Sequence, residues 1–184
     1  MKALRHFYQT TLIVAVFFFF QSCLESEFPL TTAAEAIPKN FIGTWYETKD
    51  LSEPKVSRTK YDVTKGKNNT LIIKQQEYSS YTKEWDITWY KGHLSKVKDV
   101  LFYNCKKYNS EEDFENDNTE NGYWFFKIDS EGSLIKMSPI KDDESLEFNN
   151  SKELYDFVSN IYNKSYVYDR SYEKTLIKKE AVEK

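Results

Sequence analysis

Trp85-Asp86-Ile87-Thr88-Trp89 alternates large apolar with polar side chains at every step, which puts Trp85, Ile87 and Trp89 on one face of an extended strand. The same period of two recurs on both sides of it. Upstream lie Phe41 to Thr48, Arg58 to Thr64 and Thr70 to Gln76; downstream lie Val97 to Cys105, Tyr123 to Ile128 and Ser133 to Met137. Turn-forming residues stand between these runs, at Lys65-Gly66-Lys67-Asn68, Lys91-Gly92 and Asp129-Ser130-Glu131-Gly132. Aromatic residues make up 17% of the chain and only five residues are glycine, a composition suited to pleated, half-buried surfaces. The reading is an all-β antiparallel meander with no internal repeat.

One segment breaks the pattern. Leu154, Phe157, Val158 and Ile161 fall at i, i+3, i+4 and i+7, one face of a helix, and Asn150 with Glu153 resembles a capping box. This single amphipathic helix near the C-terminus is expected to lay its apolar stripe on the outside of the sheet. Tyr172 to Lys178 reads as a last strand after it, and a short acidic strand is expected just before it, near Glu144 to Phe148.

The chain begins with Lys2 and Arg5, an apolar run from Leu12 to Phe20 too short to span a bilayer, and then Ser22-Cys23. Residues 1–22 read as an export signal. The junction resembles the lipobox of bacterial lipoproteins, where a peptidase cuts before a cysteine whose sulfur then carries diacylglycerol and whose amine takes a palmitate-type chain. That resemblance implies lipidation at Cys23. Phe20 and Gln21 depart from the Leu-Ala-Gly pattern of the family, while the rival small-x-small site Ala34-Glu35-Ala36 lies well past the apolar run. Leu24-Glu25-Ser26-Glu27 lacks an aspartate directly after the cysteine, which by the lipoprotein sorting rule implies the outer membrane of the cell envelope, with its periplasmic or surface face left open. Residues 23–38, with Pro29 and Pro38, read as a lipidated tether with little to pack, and 39–184 as one domain. Losing Lys2 and Arg5 takes the net charge from −3 to −5, so no nucleic-acid partner is expected. With Cys23 lipidated, Cys105 stands alone and reads as a small buried apolar residue without a disulfide.

The segment Ile37-Pro-Lys-Asn-Phe-Ile-Gly43-Thr44-Trp45-Tyr46 resembles the first motif of the lipocalins, in which Gly-x-Trp opens the first barrel strand after a short helical turn. The resemblance implies an up-and-down β-barrel from about Pro38 to Lys179, closed at one end by Gly43 and Trp45, with a basic residue packed on the tryptophan. Lys174 and Lys178 are both candidates for that residue. No second motif of Thr-Asp-Tyr type is present, which leaves other small barrels and sandwiches as alternatives.

Such a barrel either fills its interior or leaves a mouth for one small ligand. Trp85, Trp89, Phe102, Trp124 and Phe126 are the candidates to line an apolar pocket, and alternation leaves open which of Phe125 and Phe126 points inward. The acidic stretch Glu111 to Glu120 fails as a calcium loop, because Asn118 and Trp124 stand where an EF-hand starting at Asp113 needs glycine and glutamate. It reads as a solvated hairpin loop. His93 is the only histidine after the leader, and no catalytic triad or zinc ligand set can be assembled around it. The expectation is therefore a monomeric, non-enzymatic protein with no cofactor and no metal. It either binds a small hydrophobic ligand at the membrane or, through a packed barrel and a tyrosine-rich surface, contacts another envelope protein or a glycan.

Overall fold

The computed structural model describes residues 23–48, 58–142 and 146–182. The apolar leader with Ser22, and positions 144 and 145 of the acidic stretch before the helix, lie outside the described residues. Nine strands follow in chain order: β1 (Glu25–Ser26), β2 (Gly43–Glu47), β3 (Thr59–Lys65), β4 (Leu71–Tyr78), β5 (Trp85–Val97), β6 (Val100–Tyr108), β7 (Tyr123–Glu131), β8 (Leu134–Pro139) and β9 (Lys174–Lys178). From β2 onward each strand pairs antiparallel with the next, and β9 returns to β2 through Trp45↔Lys178, Tyr46↔Ile177 and Glu47↔Leu176. The eight strands β2 to β9 form a closed up-and-down barrel, which leaves no open edge to aggregate. β1 is an addition, paired with the first residues of β7 where β8 has run out.

Two expected turns are displaced. Lys91-Gly92 lies inside β5, because Gly92 serves the neighbouring strand: a Cβ there would come 1.8 Å from the Asn104 carbonyl oxygen and 2.6 Å from the Cys105 Cα. The chain reverses instead at Lys98-Asp99, inside the run read as one strand from Val97 to Cys105, with Val97 and Val100 paired across it and Lys98 at φ 56°. Asp129 to Glu131 belong to β7, and the reversal to β8 falls on Gly132-Ser133, where Gly132 takes φ 56° without side-chain strain. Residues 146–148 form no strand.

The long helix spans Ser151–Ile161, between β8 and β9, so the strand that follows it closes the barrel. The Asn150 side chain accepts from the Glu153 amide at 3.0 Å, and the Glu153 carboxylate reaches back to the Asn149 amide, also at 3.0 Å. The cap thus engages one residue earlier than the simple box. Leu154 and Val158 are fully buried, and Phe157 and Ile161 pack beside them on the outside of the sheet.

The two-residue period sorts side chains into two cores. Inside the barrel lie Phe41, Trp45, Tyr61, Val63, Leu71, Ile73, Leu94, Tyr103, Cys105, Ile128, Ile135 and Leu176. Outside it, the long helix and the N-terminal segment cover Val97, Phe102 and Phe125 of β5 to β7 with Leu24, Leu30, Leu154 and Val158. Burying side chains of this size contributes about 1.5 to 3 kcal/mol each.

Residues 23–38, read as a tether, are seated along the barrel wall. Leu24 donates its amide to the Ile140 carbonyl at 2.8 Å and Glu35 to Leu94 at 2.8 Å. Asn104 of β6, outward-facing and buried, accepts from the Leu30 amide at 3.0 Å and donates to Ser95 Oγ at 2.7 Å and the His93 carbonyl at 3.2 Å. His93 Nε2 donates to the Thr31 carbonyl at 2.7 Å. A few polar anchors and two buried leucines thus fix a segment whose composition offers little else.

Candidate ligand-binding cavity

The barrel has a blocked end and an open end. At the blocked end the short 3-10 turn Lys39–Phe41 leads into β2, and Trp45, fully buried, plugs the interior. Its Nε1 donates to the Phe41 carbonyl at 2.9 Å. Lys178 lies 5.6 Å from the centre of the indole ring and donates to the Asn40 carbonyl at 3.2 Å. Gly43 takes φ 132°, and a Cβ there would press on the Lys178 side chain at 3.2 Å. Of the two candidate lysines, Lys178 is therefore the one on the tryptophan. Lys174 stands at the other end of β9.

Toward the open end, inward-facing residues of β3 to β8 enclose an apolar cavity of about 120 Å³. Ile73, Tyr90, Tyr103, Cys105, Trp124, Phe126 and Met137 form its wall. Cys23, Tyr172 and Lys174 reach it at the mouth. An apolar space of this order, about 150 Å³, is known to stay dry and accept a benzene-sized molecule. It is smaller than the roughly 300 Å³ at which pockets for larger ligands begin.

The polar groups near it are hydrogen-bonded, and all but the Tyr103 hydroxyl sit toward the mouth. Glu47, mostly buried, receives the Tyr61 hydroxyl at 2.9 Å and pairs with Lys174 Nζ at 3.1 Å. Tyr90 donates to Gln75 Oε1 at 3.2 Å, and Tyr103, deeper in, donates to the Leu71 carbonyl at 3.0 Å. Burial, then the charge of Glu47, pushes the Tyr61 hydroxyl well above its ordinary range, and burial followed by the nearby Cys105 does the same to Tyr90. Both phenols therefore remain donors at any physiological pH. Burial likewise pushes the Cys105 thiol up, which keeps it an uncharged wall group.

Of the five aromatic residues the sequence offered as lining, Trp124 and Phe126 face the cavity. The other three face outward. Trp85 is exposed and packs on Tyr78; Trp89 stacks on Phe114 at 4.7 Å with Lys74 on its ring; Phe102 lies in the outer core. Phe125 points outward beneath the helix layer and Phe126 inward. The lining tyrosines Tyr61, Tyr90 and Tyr103, together with Met137, went unmarked in the sequence, because a period of two groups the residues of one face without saying which face looks inward.

The acidic loop is more ordered than a solvated hairpin. A one-turn helix, Glu111–Glu115, starts at Ser110, whose Oγ accepts from the Asp113 amide at 3.0 Å. Phe114 then clamps the loop onto Trp89 and Tyr108, while Asp117 receives the Tyr108 hydroxyl at 2.6 Å and Lys91 at 3.0 Å. Among the described residues no three His, Cys, Asp or Glu side chains gather into a possible metal site, and no helix is long and apolar enough to cross a membrane.

The closed eight-stranded barrel, plugged by a Gly-x-Trp strand and hollow at the other end, is consistent with a lipocalin-like fold. Comparison with protein-family models, curated proteins and solved structures found no match.

Proposed function

We propose that this chain is an outer-membrane lipoprotein, anchored through Cys23, whose barrel binds a small hydrophobic ligand without catalysing a reaction. The observation that carries the reading is the apolar cavity, with polar groups gathered at its mouth. A slim alkyl or single-ring tail suits its size, and the Lys174–Glu47 pair with Tyr61 and Gln75 offers partners for a small polar head at the entrance. The test is native mass spectrometry of the chain purified from the bacterial envelope in mild detergent. A stoichiometric small molecule, released by organic solvent, supports a carrier or sensor of such amphiphiles. A clean apo mass that does not shift after incubation with short and medium-chain fatty acids overturns it.

The modest volume of the cavity and the exposure of Tyr81 and Trp85 favour a second reading, a packed interaction module that contacts another envelope protein or a glycan. Under that reading, substitutions on the outer aromatic side chains abolish function and substitutions in the cavity do not.

A further inference from the structure

We propose that the barrel stands mouth-down on the membrane that carries its anchor, with a rim of exposed aromatic side chains at the lipid interface around the cavity entrance. The orientation rests on the lipoprotein reading of Cys23. Three observations point to it.

The first is the place of Cys23. It forms a β-bridge with Lys141, just beyond the end of β8, and its side chain reaches the cavity at the mouth. The next residue, Leu24, is buried and hydrogen-bonded to Ile140, and Glu25 is already paired to β7. One residue spans at most about 3.6 Å, so a lipid on Cys23 has almost no slack and must emerge beside the mouth. A free tether of 16 residues would have allowed any orientation; a seated one allows a narrow range.

The second is where the exposed apolar side chains fall. Among the described residues the large hydrophobic side chains that are exposed are Tyr81 (96%), Trp85 (53%), Ile87 (39%), Tyr166 (67%) and Tyr172 (45%). All five belong to the open end. Tyr81, Trp85 and Ile87 form the tip of the β4–β5 hairpin, where β5 projects past the end of β6. Tyr172 leads into β9 beside the cavity, and Tyr166 precedes Val167, which is hydrogen-bonded to Lys141. Tyrosine and tryptophan, apolar in body and polar at the tip, are the residues that settle at a membrane–water interface.

The third is the contrast with the blocked end. Its turns are Gly66-Lys67-Asn68-Asn69, Lys98-Asp99 and Gly132-Ser133, and none carries an exposed aromatic residue. Charge does not set the direction, since the rim mixes Lys83, Lys141, Arg170 and Lys174 with Glu84, Asp142 and Asp169. The mouth, the anchor and the aromatic rim therefore coincide, and a hydrophobic ligand passing between bilayer and cavity need not cross water.

The experiment uses the full chain expressed in a bacterium with an outer membrane, its intact mass first measured for lipid on Cys23. The lipidated protein is reconstituted into phosphatidylethanolamine and phosphatidylglycerol vesicles, with and without dibrominated acyl chains, which quench tryptophan on contact. Expected is quenching of the wild-type emission, its loss in Trp85→Phe, and no new quenching when a reporter is placed at the blocked end by Lys67→Trp in the Trp85→Phe background. Lipidated protein that is not quenched, or is quenched through the Lys67→Trp reporter, overturns the orientation and leaves the anchor standing. An unlipidated mass overturns the anchor, and the orientation falls with it.

Discussion

Replacing Cys105 with leucine separates a hollow barrel from a filled one by the sign of the stability change. Cys105 sits on β6, buried, with its side chain in the cavity wall. Leucine adds two heavy atoms in a direction where the cavity offers about 120 Å³. At about 0.8 kcal/mol for each buried methylene, the substitution stabilises the fold by about 1.5 kcal/mol. For a domain of this size that raises the melting temperature by about 3 to 6 °C. The same atoms occupy the space a ligand would use. An empty cavity costs roughly 24 cal/mol per Å³, so a ligand that fills this one recovers at most about 3 kcal/mol, or about a hundredfold in affinity, and the leucine variant forfeits a large part of it. Urea unfolding monitored by tryptophan fluorescence gives the first quantity, and titration with a fluorescent fatty-acid analogue gives the second. If the space is not there, the extra atoms overpack the core and destabilise it by about 1 to 3 kcal/mol. A loss of stability together with unchanged uptake of the probe would refute the cavity and the ligand reading with it.

Asn104→Leu strands the buried Leu30 amide, so it destabilises by about 1 to 3 kcal/mol and speeds amide hydrogen exchange between Leu24 and Leu30 while the barrel strands stay protected. Trp45→Phe keeps most of the plug but leaves the Phe41 carbonyl without its indole donor and Lys178 without its better ring; a drop of about 1 to 3 kcal/mol in urea unfolding is expected. The acidic loop responds to pH with a definite sign. The Tyr108 hydroxyl, then Lys91, hold the Asp117 carboxyl below its ordinary range. A depressed carboxylate contributes its stabilisation fully above the unfolded value of about 4 and loses it as the pH falls through the lower folded value. As the pH falls through that lower folded value the loop loosens from β5, read in an acid titration as a change in Trp89 emission as Phe114 leaves its ring, and Asp117→Asn shows that loosened emission already at pH 7.

The strands were legible because alternation marks them, yet alternation could not say which face of each looks inward. Trp85, Ile87 and Trp89 do share a face, and it is the outer one. In β7 the run Tyr123-Trp124-Phe125-Phe126 is apolar at every position because both faces are buried, one in the cavity wall and one under the outer layer, so no period survives. Lys174 and Lys178 lie four apart on one strand and share a face; the antiparallel register Trp45↔Lys178, which no local pattern encodes, is what chooses between them. Gly92 read as a turn because a lone glycine in a strand looks the same whether the chain reverses or a neighbour presses close. Residues 23–38 read as slack because the side chain that fixes them, Asn104, is 74 residues away in sequence from Leu30 and leaves no signature in the segment it holds.

The outer layer also makes the cavity wall unequal. Phe102 and Phe125 face outward from the strands that present Tyr103, Cys105, Trp124 and Phe126 inward, and the long helix and the N-terminal segment pack against them. Pushing β6 or β7 outward to admit a larger ligand would open a gap in that close-packed second core, with the steep penalty that loss of packing carries. On β3 and β4 the outward-facing positions carry polar side chains such as Lys60, Asp62 and Lys74, a half-buried ion pair and a ring-stacked lysine rather than a second core. Any enlargement of the cavity is therefore resisted least at Tyr61, Ile73 and Gln75, next to the Glu47–Lys174 pair at the mouth. The buttress that seats Cys23 beside the entrance is thus the same one that stiffens one side of the wall, and it leaves the opposite side freer to move outward.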